Sequence, residues 1–79
     1  MRLDKYLKTA RLIKRRTVAN EACDNGLVSV NEKPARASYE VKVGDRISLR
    51  FGVRKITVEV LFVQENVRQA DAAALYREV

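Results

Sequence analysis

Met1-Arg2-Leu3-Asp4-Lys5-Tyr6-Leu7-Lys8-Thr9-Ala10-Arg11-Leu12-Ile13-Lys14-Arg15-Arg16 opens the chain, and its reading decides the fold. Leu3, Tyr6, Leu7, Ala10 and Ile13 recur at intervals of three and four, which predicts one apolar face of a helix over about Leu3 to Ile13. Lys5 and Lys8 fall on the opposite side, with Arg2 and Arg11 at the flanks. Asp4 stands one turn before Lys8, within pairing reach on a helix. Lys14-Arg15-Arg16 breaks the pattern and reads as a connector into the next element. The stretch carries seven basic side chains against one acid, a net of +6, whereas Thr17 to Val79 carries nine of each and is neutral. Such a concentration of charge on a folded scaffold is the footprint of a polyanion partner. Nucleic acid is the first candidate and an anionic membrane surface the second.

Outward from this stretch, Arg16 to Asp24 predicts a second, short helix with Val18, Ala19, Ala22 and Cys23 on one face, stopped by Asn25-Gly26. After Gly26 the apolar period changes to two. Leu27 to Asn31 predicts a strand, and Asn31-Glu32-Lys33-Pro34 a turn whose proline excludes a central strand. Tyr39, Val41 and Val43 alternate up to the tight turn Gly44-Asp45. Ile47, Leu49 and Phe51, then Ile56, Val58, Val60 and Phe62, alternate on either side of Gly52-Val53-Arg54, a half-buried antiparallel pattern. Gln69 to Glu78, rich in alanine, predicts a short terminal helix. Two helices, a small antiparallel sheet and a terminal helix place the chain in the α+β class.

Composition narrows the function. Seventy-nine residues make a single domain, 1–79, with a modest core and little room for a catalytic pocket. The chain has no histidine, so the commonest general base and metal ligand are missing. One cysteine, Cys23, builds neither a disulfide framework nor a zinc site and fits a reducing cytoplasm. Its place on the apolar face of the second helix makes it a small buried hydrophobe. No apolar run reaches the roughly 18 residues of a membrane span, and Leu3, Leu7 and Ala10 are needed by the core rather than a lipid surface. The expectation is a non-enzyme without cofactor or metal.

Arg2–Leu7, the basic connector with Arg16-Thr17, Asn25–Asn31 and Val43–Ile47 follow one another in the order and spacing of a known family. The chain resembles the S4 RNA-binding domain from Arg2 to about Leu49. Arg50-Phe51-Gly52, Ala73–Tyr76 and the Arg11–Thr17 run are similar to its small stand-alone members, the heat-shock-protein-fifteen-like and RqcP groups. The resemblance implies an S4-type fold with two N-terminal helices packed on a small sheet. It also implies a factor that holds the large ribosomal subunit with stranded peptidyl-tRNA and supports alanine tailing in ribosome-associated quality control. Its partners would be rRNA of the large subunit, peptidyl-tRNA and an alanine-tailing quality-control factor, and the chain itself would be a monomer. The alternative is a general rRNA- or tRNA-binding module of ribosome assembly or of an RNA-modifying enzyme.

Within that resemblance the expected RNA-binding residues are Arg2, Lys5, Lys8, Arg11, Lys14, Arg15, Arg16, Thr17 and Lys33. The connector leads at the start of a helix, where free backbone amides and the helix dipole favour phosphate. Arginine adds a planar fork for two phosphate oxygens or a stacked base. Asp4, which phosphate would repel, is expected to orient its basic neighbours. Two departures stand out. Arg15 occupies a position where the family commonly has a capping Ser or Thr, and Glu32 follows Asn31 where a glycine is frequent. Tyr6 and Tyr39 lie in apolar patterns and are expected to pack. Binding should weaken steeply with salt and read RNA shape rather than sequence.

Overall fold

The first helix ends at Thr9 rather than Ile13. The structure, a computed structural model, describes residues 1–79 apart from the side chain of Gln69, and α1 covers Leu3–Thr9. Arg11 takes a left-handed conformation, φ 60°, so the chain turns away. Its amide donates to the Lys8 carbonyl at 3.0 Å and that of Leu12 to Leu7 at 3.0 Å, the paired closure of a Schellman motif. Ile13 is still buried, because this turn folds it back onto the core. Apolar spacing alone cannot separate a helical Ile13 from one returned by a turn.

The start of α1 has Arg2 as its N-cap and no capping side chain; instead the amides of Leu3 and Asp4 donate to the carbonyls of Tyr39 (2.8 Å) and Ala37 (3.2 Å). The second helix, α2, spans Arg16–Asp24 as predicted. Its N-cap, Arg15, is extended and supplies no side-chain hydrogen bond, as expected where a Ser or Thr is missing. It ends on Gly26, φ 74°, with the same paired closure: Gly26 to Cys23 at 3.1 Å and Leu27 to Ala22 at 2.9 Å.

Five strands follow: β1 Val28–Val30, β2 Lys33–Pro34, β3 Arg46–Phe51, β4 Arg54–Val60 and β5 Tyr76–Glu78. They form one antiparallel sheet in the order β2-β1-β3-β4-β5. Pro34 sits on the edge strand, where its missing N–H breaks no ladder. Asn31 and Glu32, φ 51° and 70°, make the two-residue turn between β1 and β2, so a glutamate holds a conformation that favours glycine. Ile47 faces Val58 and Leu49 faces Ile56 across β3 and β4. Val28, Ile47, Leu49 and Val58 join Leu3, Tyr6 and Leu7 of α1 and Ala19 of α2 in one core.

Two further patterns resolve differently from what their local sequence suggests. Tyr39, Val41 and Val43 do not form a strand; the segment has only an isolated bridge, Arg2 with Glu40, and Val43 is exposed. The alternation arises because Val41 packs into the core while the Tyr39 hydroxyl donates to Asp45 Oδ2 at 2.9 Å. The terminal segment is a 3-10 helix, Gln69–Leu75, that passes into β5 rather than remaining helical to Glu78. The Leu75 carbonyl accepts the Tyr6 hydroxyl at 2.8 Å and the amides of Leu61 and Phe62, and the chain beyond it pairs with β4. Among the described residues no helix is long and apolar enough to cross a membrane.

Candidate nucleic-acid interface

Asp4 is the centre of the first cluster, where the starts of α1 and α2 meet beside a shallow concavity. It is the second residue of α1, its side chain is 3 % exposed, and four groups converge on it. Arg2 Nε donates to Oδ1 at 3.2 Å and Arg2 Nη2 to Oδ2 at 3.4 Å. Arg16 Nε lies 3.4 Å from Oδ2, Asn20 Nδ2 donates to the same oxygen at 3.3 Å, and the Lys5 amide donates to Oδ1 at 2.8 Å. Burial alone would raise the carboxyl's pKa. The donors from Arg2, Asn20, Arg16 and the Lys5 amide outweigh it and hold the group below the ordinary aspartate range. The predicted Asp4–Lys8 pair therefore does not form. The carboxylate faces back across the helix pair instead of along α1.

This arrangement fixes the arginines without hiding them. Their side chains remain 49 % and 48 % exposed, so each guanidinium keeps donors free for an outside oxygen. Thr17 lines the concavity with Asp4, Arg16, Asn20 and Glu21. Arg15 is exposed on the connector. Buried Cys23 on the neighbouring face of α2 has its thiol pushed up to about 11 by burial and by the charges of Asp4 and Asp24, so it is an unreactive packing group.

Lys8, Arg11 and Lys14 belong to a second concavity at the other end of α1, and Lys5 lies between the two, pairing with Glu65 at 3.3 Å. Its far wall comes from the C-terminal half: Glu65, Asn66, Val67 and Arg68. Arg68 has no sequence signal, because it sits in a stretch whose charges sum to zero; only the fold carries it to the N-terminal basic run. Asn20 was missed for a similar reason, since an amide one turn into a helix resembles any exposed polar residue. Lys33 does not join either group. It lies on the edge strand β2 and lines a separate depression with Pro34, Ala35 and Tyr39. Among the described residues no cluster of three or more His, Cys, Asp or Glu side chains is placed to hold a metal ion.

Comparison with known proteins identifies the family. The S4 domain family model matches residues 1–47. The chain is 51 % identical over 76 residues to the RQC P-site tRNA stabilizing factor of Halalkalibacterium halodurans, covering 96 % of this chain and 86 % of that one. It is 47 % identical over 76 residues to the protein of the same name from Bacillus subtilis, covering 96 % and 88 %. Heat Shock Protein 15 of Vibrio cholerae superposes with a TM-score of 0.93 at 36 % identity, over 100 % of this chain and 81 % of that one. The buried aspartate between two exposed arginines, the helix pair that carries it and these likenesses lead to one conclusion: the chain belongs to the S4 domain family.

Proposed function

We propose that this chain is a non-catalytic RNA-binding factor of ribosome-associated quality control. It would act in the cytoplasm as a monomer, 1–79 forming one functional domain. Its basic face would hold the tRNA of a stranded peptidyl-tRNA on the large ribosomal subunit, with rRNA as the second surface. By keeping that tRNA in place it would support the factor that adds alanines to the stalled chain. The observation that carries the reading is the Asp4 clamp: two arginines held by one buried carboxylate, each half exposed. A rigid pair of guanidinium forks loses little rotamer entropy on meeting phosphate, which suits shape recognition of an RNA backbone. The names of the relatives supply the ribosomal context.

Arg16→Ala tests it. Arg16 is half exposed and is one of four groups that neutralise buried Asp4, so the Tm should fall by several degrees with the variant still folded, while co-sedimentation with large subunits carrying peptidyl-tRNA is lost. Full retention of binding in that variant would count against the arginine pair. Removing tRNA from the subunits should weaken binding of the wild type, since two RNA surfaces are needed for a small domain to bind tightly.

A further inference from the structure

We infer that the second concavity, between the end of α1 and residues 65–68, is a distinct RNA-backbone groove built jointly by the two halves of the chain. It rests on the RNA-binding reading above and adds a site and a strand path to it. The groove encloses about 670 Å³. Lys8, Arg11 and Lys14 line one wall and Arg68 the other, with Glu65 the one acid at its edge. Among the described residues none of these four cations has an ion-pair partner, whereas Arg2, Lys5, Arg16 and Arg77 all do. Unpaired cations facing each other across a gap repel, and an anion between them removes that repulsion.

The backbone places this charge deliberately. Arg11 occupies the left-handed position of a Schellman closure, where glycine is the ordinary residue, and its side chain lines the groove. The opposite wall is anchored rather than loose. Val67 packs on the core, the Arg68 carbonyl accepts the Asp71 amide at 2.9 Å, and Glu65 pairs with Lys5. Cations on both walls suit a phosphodiester strand running between them. A free nucleotide would instead need convergent polar groups to read its base, and the lining offers only Thr9 and Asn66.

The test uses the full chain, fluorescently labelled bulk tRNA and a labelled RNA hairpin, titrated over a series of KCl concentrations. Arg68→Ala should weaken binding about tenfold and lower the slope of log K against log salt by about 0.7 to 0.9, one phosphate contact. Arg11→Gly should weaken RNA binding similarly while raising Tm, a combination that a folding defect cannot produce. Glu65→Gln should tighten binding. Arg54→Ala, at the start of β4 and outside the lining of the groove, removes the same charge and should change neither quantity. The groove is overturned if Arg68→Ala and Arg11→Gly bind as wild type while Arg16→Ala fails, an outcome that leaves the proposed function standing. Unchanged binding in all three would remove the proposed function as well. Equal loss in Arg54→Ala would reduce the effect to net charge and overturn the groove. So would adenosine monophosphate binding that depends on Arg68 while RNA affinity does not.

Discussion

At the start of α1, Arg2 and Arg16 reach a buried carboxylate; at its end, Lys8, Arg11 and Lys14 reach no acid among the described residues. The two ends solve different problems. The first gains stability from its charge, because the donors around Asp4 outweigh its desolvation and hold its folded pKa below the ordinary value. The second gives stability up, because Arg11 holds a backbone conformation that costs an L-residue roughly 1–2 kcal/mol. The end of α2 provides the control. It closes with the same two hydrogen bonds but uses Gly26, and a Cβ built there meets nothing within 4 Å. Sterics therefore do not separate the two turns; the side chain each presents does.

The largest break in this comparison is Asp4→Asn. It leaves the guanidinium groups without their counter-charge and should lower stability by about 2 kcal/mol, read by urea denaturation at neutral pH. The folded pKa of Asp4 lies below the ordinary value of 3.8, so its contribution is complete above that value and is lost as pH falls through the lower folded one. The gap between wild type and variant should therefore close below about pH 4. A gap that stays constant under acid would mean the stabilisation is not from the charge.

Next in size is Gly26→Arg, which gives the end of α2 the residue that α1 has. With open space around the Cβ the cost is conformational alone, roughly 1–2 kcal/mol, and RNA affinity should not rise as it would with an added groove cation, because Gly26 does not line the concavity of Lys8, Arg11, Lys14 and Arg68. The converse, Arg11→Gly, should stabilise by about 1 kcal/mol, a rise of several degrees in Tm. The smallest effect is expected from Glu32→Gly in the β1–β2 turn: a gain of several tenths of a kcal/mol, with affinity unchanged or slightly raised by loss of an acid. If Arg11→Gly failed to stabilise, the contrast between the two helix ends would vanish.

These features differ in how far the sequence announces them. The bounds of α2, the β3–β4 hairpin and the S4 match rest on local signals: a glycine stop, a period of two, a motif order. Asp4 was legible as an organiser of basic groups, since one acid among seven bases has few other roles. Which bases it holds was not legible, because a spacing of four favoured Lys8 while the packing of α1 on α2 delivers Arg16 and Asn20. Residues 39–43 imitate a strand because alternate burial arises equally from a loop laid along the core. The 3-10 helix and β5 were read as one helix because alanine propensity is local, whereas the pairing of Tyr76–Glu78 with β4 is decided by distant residues. Arg68 was invisible for the same reason.

One hydrogen bond ties these distant parts together. The Tyr6 hydroxyl is buried, and its acceptor, the Leu75 carbonyl, lies 69 residues away along the chain. A helix of seven residues does not persist on its own, so α1 gains its lifetime from tertiary contacts such as this one, which spans 69 residues of chain. Order at the two ends is thus shared. Local opening near Leu75 would strip Tyr6 of its partner and is expected to loosen the helix that carries Asp4 and the wall of Lys8 and Arg11. The proposed RNA-facing surface is therefore expected to weaken together with the packing of the C-terminal segment.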